Sequence, residues 1–198
     1  MQEQGQRNEI YPLDLLSQQS IDTLITTIKT SWERLDVLIL CAGTVGLRSF
    51  ENLSRKELDV AYDGNVKGNF MLAKELGYWM KETRGVGRII QYTAMSAENT
   101  SHSAYGMAKA AQMQNGGFLA YHLGPEVTIN TLQPIRIDQD PTHEVAPPYK
   151  SLLGRSVHAR KLARMSLLLC DSAFDTVTGE VVRMDSGRHV VPTYPRTL

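Results

Sequence analysis

The sequence predicts an α/β fold, a three-layer Rossmann-like parallel sheet with helices on both faces. Segments with helical spacing alternate with short apolar runs along the chain, the order that yields parallel strands joined by crossover helices. The apolar runs are too short for buried helices and suit strands covered on both faces. The stretches that follow them, "CAGTVG", "YTAMSAENTSH" and "QPIRIDQD", fall at the carboxyl ends of strands, where such sheets bind ligands.

Each element has its own signal. Ser20 to Leu35 carries Ile21, Leu24, Ile25, Ile28 and Trp32 at helical spacing, with Ser20 as the expected N-cap. "DVLILCAG" is the first strand. Ser54 to Glu82 forms a long helix, opened by Ser54 and Glu57 as a capping box. Gly64, Gly68 and Gly77 weaken it locally. "GRIIQYTAMS" gives a second strand, Arg88 to Thr93, and Ser103 to His122 a helix. Glu126 to Pro134 is a third strand, ended by a proline that cannot donate to a ladder. "DQDPTHEVAPPYK" is a proline-rich loop, His158 to Ser172 a helix and "GEVVRMDSG" the final strand. The polar residues 1–9 are expected to be loose ahead of a single domain over 10–198.

Composition is that of an ordinary soluble globular protein. The chain has 198 residues, 42% hydrophobic and 21% charged, with a formal net charge of zero. That balance predicts no nucleic-acid or membrane-surface partner. The N-terminal residues lack the basic and apolar regions of a signal peptide. No apolar run approaches the ~20 residues that span a bilayer. Cys41 and Cys170 sit in apolar runs and are expected to be buried structural thiols, as in a reducing cytoplasm. No metal-ligating spacing is present.

The chemistry centres on "YGMAK". Tyr105 and Lys109 stand at i and i+4 on one helix face, just after the second strand's carboxyl end. An ammonium beside a phenol favours phenolate, which makes Tyr105 a candidate general acid or base. The competing interpretation is a solvated helix face.

The neighbouring motifs resemble the short-chain dehydrogenase/reductase family. "YGMAK" matches its YxxxK motif, "NVKG" its helix asparagine, and "LDVLILCAG" the strand ending in its NNAG motif. "GRIIQYTAMS" stands in the place of its serine-bearing strand and "VTINTLQP" in that of the strand before its Pro-Gly turn. The segment from Leu152 to Gly187 is similar to its C-terminal part, and the resemblance runs from about Tyr11 to Gly187.

The resemblance implies a nicotinamide-dependent oxidoreductase, using NAD or NADP to interconvert a small-molecule carbonyl and alcohol. Tyr105 would be the proton donor or acceptor, and Lys109 would lower its pKa and hold the nicotinamide ribose. Asn65 would position a water of the proton relay. Asp14 would contact the adenine, Ala42 and Gly43 would line the cofactor through their backbone, and Pro134 and Ile137 would lie at the nicotinamide. Asn65 is otherwise a polar helix breaker, and Asp14 a turn residue. The family also implies association through the long helices, as a homo-oligomer or with an intact homologue, in the cytoplasm.

Several positions depart from the family pattern. The chain begins about where the family's third strand is expected, so its fold is expected to be N-terminally truncated. A Gly-rich pyrophosphate turn, within about 60 residues of strand–helix repeats, is absent. Leu40 and Cys41 replace the NNAG asparagines, Ala94 stands where the catalytic serine is expected, and Ile135 and Gln139 depart from the Pro-Gly turn and the threonine beyond it. Ser96 is the candidate replacement for the serine, against a role as an ordinary loop serine. His102, Asp138, Asp140, His143 and Glu144 lie near the expected crevice without a pattern. Without the missing strands "DVLILC" becomes an exposed edge, covered by "EIYPLDL", a second subunit or a longer native chain. The alternative function is a degenerate, non-redox relative: a structural or regulatory subunit, or a lyase or isomerase without nicotinamide.

Overall fold

The computed structural model describes residues 8–46, 50–98, 103–138 and 151–191. In chain order its main elements are α1 (Gln18–Ser31), β1 (Val37–Leu40), α2 (Arg55–Tyr62), α3 (Gly68–Arg84), β2 (Gly87–Tyr92), α4 (Ala104–Leu123), β3 (Val127–Pro134), β4 (Ile137–Asp138), β5 (Val157–His158), α5 (Ala159–Leu168) and β6 (Val181–Met184). The main sheet runs β1-β2-β3-β6, parallel throughout, with Leu38 opposite Ile89 and Ile89 opposite Ile129. The α/β expectation therefore holds, in a helix–sheet–helix arrangement.

Side-chain alternation sorts the strands between two helical layers. Leu38, Leu40, Ile89 and Ile129 meet Ile21 and Ile25 of α1, Leu72, Leu76 and Met80 of α3, and Leu119 and Leu123 of α4. Ile90, Leu132 and Val182 face the other way, against Met165 and Leu169 of the α5 region. Ile39 pairs with Ile90 and so shares that second face, but it and Val37 are exposed. The expectation that "DVLILC" is covered on both faces is corrected here, and the expectation that it forms an exposed edge holds, since β1 stands at the end of the sheet order. Helix α5 packs mainly over β3 and β5. "EIYPLDL" adds no strand in its described residues, 9–15.

The predicted long helix is three segments. The capping box is present, with Ser54 Oγ accepting from Glu57 N–H and the Glu57 carboxylate accepting from Ser54 N–H. Asp63–Lys67 is a π-helical stretch between α2 and α3. The first helix begins earlier than expected because Ser17, not Ser20, is its cap. Ser20 Oγ instead accepts the N–H of Asp14 at 2.9 Å. Helix α5 ends at Leu168 rather than Ser172, with a short 3₁₀ turn following at Ser172–Phe174. Among the described residues no helix is long and apolar enough to cross a membrane.

Candidate active site

Helix α4 is pinned to the sheet at two points beneath the Tyr105–Lys109 pair. Gln91 and Thr93 point to the same side of β2 and its extension. Gln91 Nε2 donates to the carbonyl of Gln112 at 3.0 Å and to Thr131 Oγ1 at 2.8 Å. Thr93 Oγ1 donates to the carbonyl of Lys109 at 2.8 Å. The approach is close enough that a Cβ on Gly116 would lie 2.8 Å from Gln91 Nε2. Ser103 caps the helix by accepting from Gly106 N–H.

These elements enclose a cleft of about 320 Å³. Cys41 from the end of β1, Thr93, Tyr105 and Lys109, Pro134 and Ile137 line it, and Ala159, Leu162 and Ala163 of α5 close it. Tyr105, Lys109, Pro134 and Ile137, expected from the sequence to share a site, are thus brought together. Cys41 lines the cleft as an exposed thiol and Cys170 is only half-buried, which corrects the expectation that both are buried. Strand β1 stops one residue before Cys41. A larger recess of about 580 Å³ lies between Thr44–Gly46, α2 and Ala104. Its charged lining residues are Lys56 and Glu57, and Glu57 is engaged in the capping box.

Lys109 is 5% exposed. Its ammonium donates to the Tyr92 carbonyl at 3.1 Å and to Gln112 Oε1 at 2.8 Å. Burial pulls its pKa down to about 8, partly opposed by Cys41. Its Nζ stands 5.8 Å from the centre of the Tyr105 ring. Burial raises the Tyr105 pKa above the ordinary phenol value. The expectation that Lys109 lowers it is corrected: the ammonium is engaged with two other oxygens, and desolvation of the phenolate dominates.

Asn65 sits in the π-helical stretch, fully buried. Its Nδ2 donates to the carbonyls of Thr44 and Ala61 at 2.8 and 2.9 Å and to Thr44 Oγ1 at 3.0 Å. Its Oδ1 is buried without a partner. A Cβ on Gly43 would lie 2.4 Å from that oxygen and 3.5 Å from Lys109 Nζ. The bare α-carbon of Gly43 therefore packs closely against an acceptor that has no partner, with the Lys109 ammonium nearby. A sugar hydroxyl, donor and acceptor at once, can use both.

Of the other expected residues, Asp14, Ala42 and Ser96 are not among those lining the cleft. Asp14 is exposed and forms an Asx turn, its Oδ1 accepting from Leu16 N–H at 2.9 Å. Ala42 uses its carbonyl to accept from Asn69 Nδ2 at 3.1 Å. Ser96 lies in the Met95–Ala97 turn, its Oγ buried without a partner, and does not line the cleft. Asp138 belongs to β4, whose backbone pairs it with His158. His102, Gln139, Asp140, His143, Glu144 and residues 1–7 lie outside the described residues. Among the described residues no cluster of ligating side chains could hold a metal. The sequence reading missed Gln91 and Gln112. Their signal was a glutamine inside each of two apolar runs, "RIIQY" and "KAAQM".

Comparison with known proteins agrees with this architecture. A family model described as enoyl-(acyl carrier protein) reductase matches residues 1–189. The NAD-dependent glycerol dehydrogenase of Listeria innocua is 26% identical over 185 residues, covering 88% of this chain and 72% of that protein. The cyclohexanol dehydrogenase of a Rhodococcus species is 28% identical over 207 residues, covering 94% and 75%. The crystal structure of acetoin dehydrogenase from Enterobacter cloacae superimposes with a TM-score of 0.86 at 27% identity, covering 96% of this chain and 79% of that one.

Proposed function

The chain belongs to the short-chain dehydrogenase/reductase family, and we propose that it interconverts a small carbonyl compound and its alcohol with NAD or NADP, using Tyr105 as acid and base. The observation that carries this reading is the single cleft shared by Tyr105, Lys109, Pro134 and Ile137 at the carboxyl ends of parallel strands. Relatives named for glycerol, cyclohexanol and acetoin support a small substrate.

In reduction the Tyr105 hydroxyl donates its proton to the substrate carbonyl oxygen, and in oxidation the phenolate accepts one from the alcohol. Its raised pKa keeps the phenol protonated at neutral pH, which suits the reductive direction. Lys109 supplies positive charge near the phenol and a donor for ribose hydroxyls. The unpartnered Oδ1 of Asn65 and the Lys109 ammonium beside Gly43 offer an acceptor and a donor to the ribose end of the cofactor. Ala42, Gly43, Lys109, Pro134 and Ile137 would hold that end, and Asp14 the adenine. When bound, the nicotinamide supplies or accepts the hydride. Asn65 positions a water of the relay, while Ser96, expected from the sequence to replace the serine lost at Ala94, is not among the residues lining the cleft and is given no part in the relay here. Exposed Tyr78 of α3 and Phe118 and Tyr121 of α4 support a homo-oligomer.

Titration of the purified chain with NADH and NADPH, followed by cofactor fluorescence, tests the reading. Saturable binding with turnover lost in Tyr105→Phe is expected. The placement of Ser96 outside the cleft favours a second reading, a non-redox relative acting as a subunit, lyase or isomerase. It requires that neither dinucleotide binds.

A further inference from the structure

We propose that Gln112 is a positioning residue of the catalytic pair, holding the Lys109 ammonium in its seat beneath the cleft. The inference rests on the catalytic reading above and adds a residue that contacts neither substrate nor cofactor.

Gln112 lies on α4 one turn after Lys109 and is 1% exposed. A buried amide is unfavourable unless its polar atoms are bonded. Here only half of it is. Oε1 accepts from Lys109 Nζ at 2.8 Å, while Nε2 is buried without a partner. Turning the amide over would set its NH₂ against the ammonium, donor against donor. The lysine therefore fixes the amide's orientation, and the amide tolerates an orphaned donor to serve the lysine. A leucine would occupy similar space without that orphan.

The backbone under both residues is fixed as well. Gln91 Nε2 holds the carbonyl of Gln112, and Thr93 Oγ1 holds that of Lys109. The ammonium has three N–H groups. Gln112 Oε1 and the Tyr92 carbonyl take two, which leaves one for Tyr105 or a ligand hydroxyl. Strand β1 ends at Leu40, opposite Gln91, so the Tyr92 carbonyl lies just past the β1–β2 ladder.

The groups around Lys109 make the effect of Gln112 separable. Cys41 reaches the cleft from the end of β1, and Tyr105 from the same helix. Tyr92 of β2 engages Ser166 of α5 through its hydroxyl. The π-helical stretch presents the neutral amide of Asn65 beside Gly43. Pro134 of β3 and Ala159, Leu162 and Ala163 of α5 carry no charge. Among the residues whose side chains are described no carboxylate lines this cleft. Removing the Gln112 acceptor should thus make the ammonium easier to deprotonate, and a carboxylate in its place should make it harder.

The test is the titration of Lys109 in the full chain without cofactor. It is followed by NMR of the lysine ε-methylene carbons, with the signal assigned by its loss in Lys109→Met. Gln112→Leu should lower the midpoint by about one pH unit, and Gln112→Glu should raise it by about one unit or more. Thermal unfolding checks that each variant folds, and Gln112→Met serves as the second apolar variant. Opposite shifts support the inference. Unmoved midpoints, or shifts of one sign in all variants, overturn it. Opposite shifts in a protein that binds no dinucleotide would retain the seat of Lys109 and discard the redox reading. Dinucleotide turnover with unmoved midpoints would discard the role of Gln112 alone.

Discussion

Burial of Lys109 should make the stability of the fold depend on pH in a direction that can be assigned to one residue. The perturbation is a rise from pH 7 to pH 10.5, in the wild-type chain and in Lys109→Met. The folded-state pKa is about 8, against 10.5 for an exposed lysine. Below pH 8 both folded and unfolded chains hold the proton, and the full cost of a buried ammonium is present. Between 8 and 10.5 the folded chain has lost the proton while the unfolded chain keeps it. The unfolded state then binds more protons, so stability rises with pH. Above 10.5 the cost is gone. At 1.36 kcal/mol per unit the gain is about 3 kcal/mol. Urea unfolding at intervals across the range measures it. Groups remote from Lys109 contribute equally in both proteins and cancel in the difference. The wild type should gain about 3 kcal/mol on the variant between pH 7 and 10.5. A flat difference, or one that falls with pH, would refute the buried seat of the ammonium.

Other substitutions test separate parts of the structure. Gly43→Ala should cost about 1–3 kcal/mol in urea unfolding and weaken dinucleotide binding, because its Cβ drives into Asn65 Oδ1 and the amide is held by three hydrogen bonds. Ser54→Ala removes the capping box of α2 and should cost about 1 kcal/mol while leaving cofactor affinity unchanged. Leu132→Ala, at a fully buried position on the α5 side of the sheet, should cost about 2–5 kcal/mol by calorimetry or urea unfolding.

The alternation of elements was legible because each helix has an apolar stripe and each strand is a short apolar run. The details that failed depend on contacts remote in sequence. Ser17 and Ser20 are both chemically able to cap α1, and the choice is made when Asp14 engages Ser20 Oγ. The run "DVLILC" alone suggests a strand covered on both faces, whereas Val37 and Ile39 are exposed, as the edge position inferred from the missing strands implies. The π-helical stretch at Asp63–Lys67 carries no compositional mark beyond Gly64, yet it seats Asn65 beside Gly43. At the site, the spacing of Tyr105 and Lys109 placed both on one helix face. It could not show that Lys109 turns toward Gln112 and the end of β2, because that direction depends on which acceptors the folded core leaves open.

The central claim is that Tyr105 and Lys109 serve a nicotinamide-dependent exchange of carbonyl and alcohol. Fluorescence titration of the 198-residue chain with NADH and NADPH, repeated in Lys109→Met, tests it most directly. The account predicts saturable micromolar binding of one dinucleotide, weakened at least tenfold in the variant by loss of a donor to the ribose hydroxyls, about 1.4 kcal/mol or more. Absence of binding by either dinucleotide, or binding indifferent to Lys109, would contradict it.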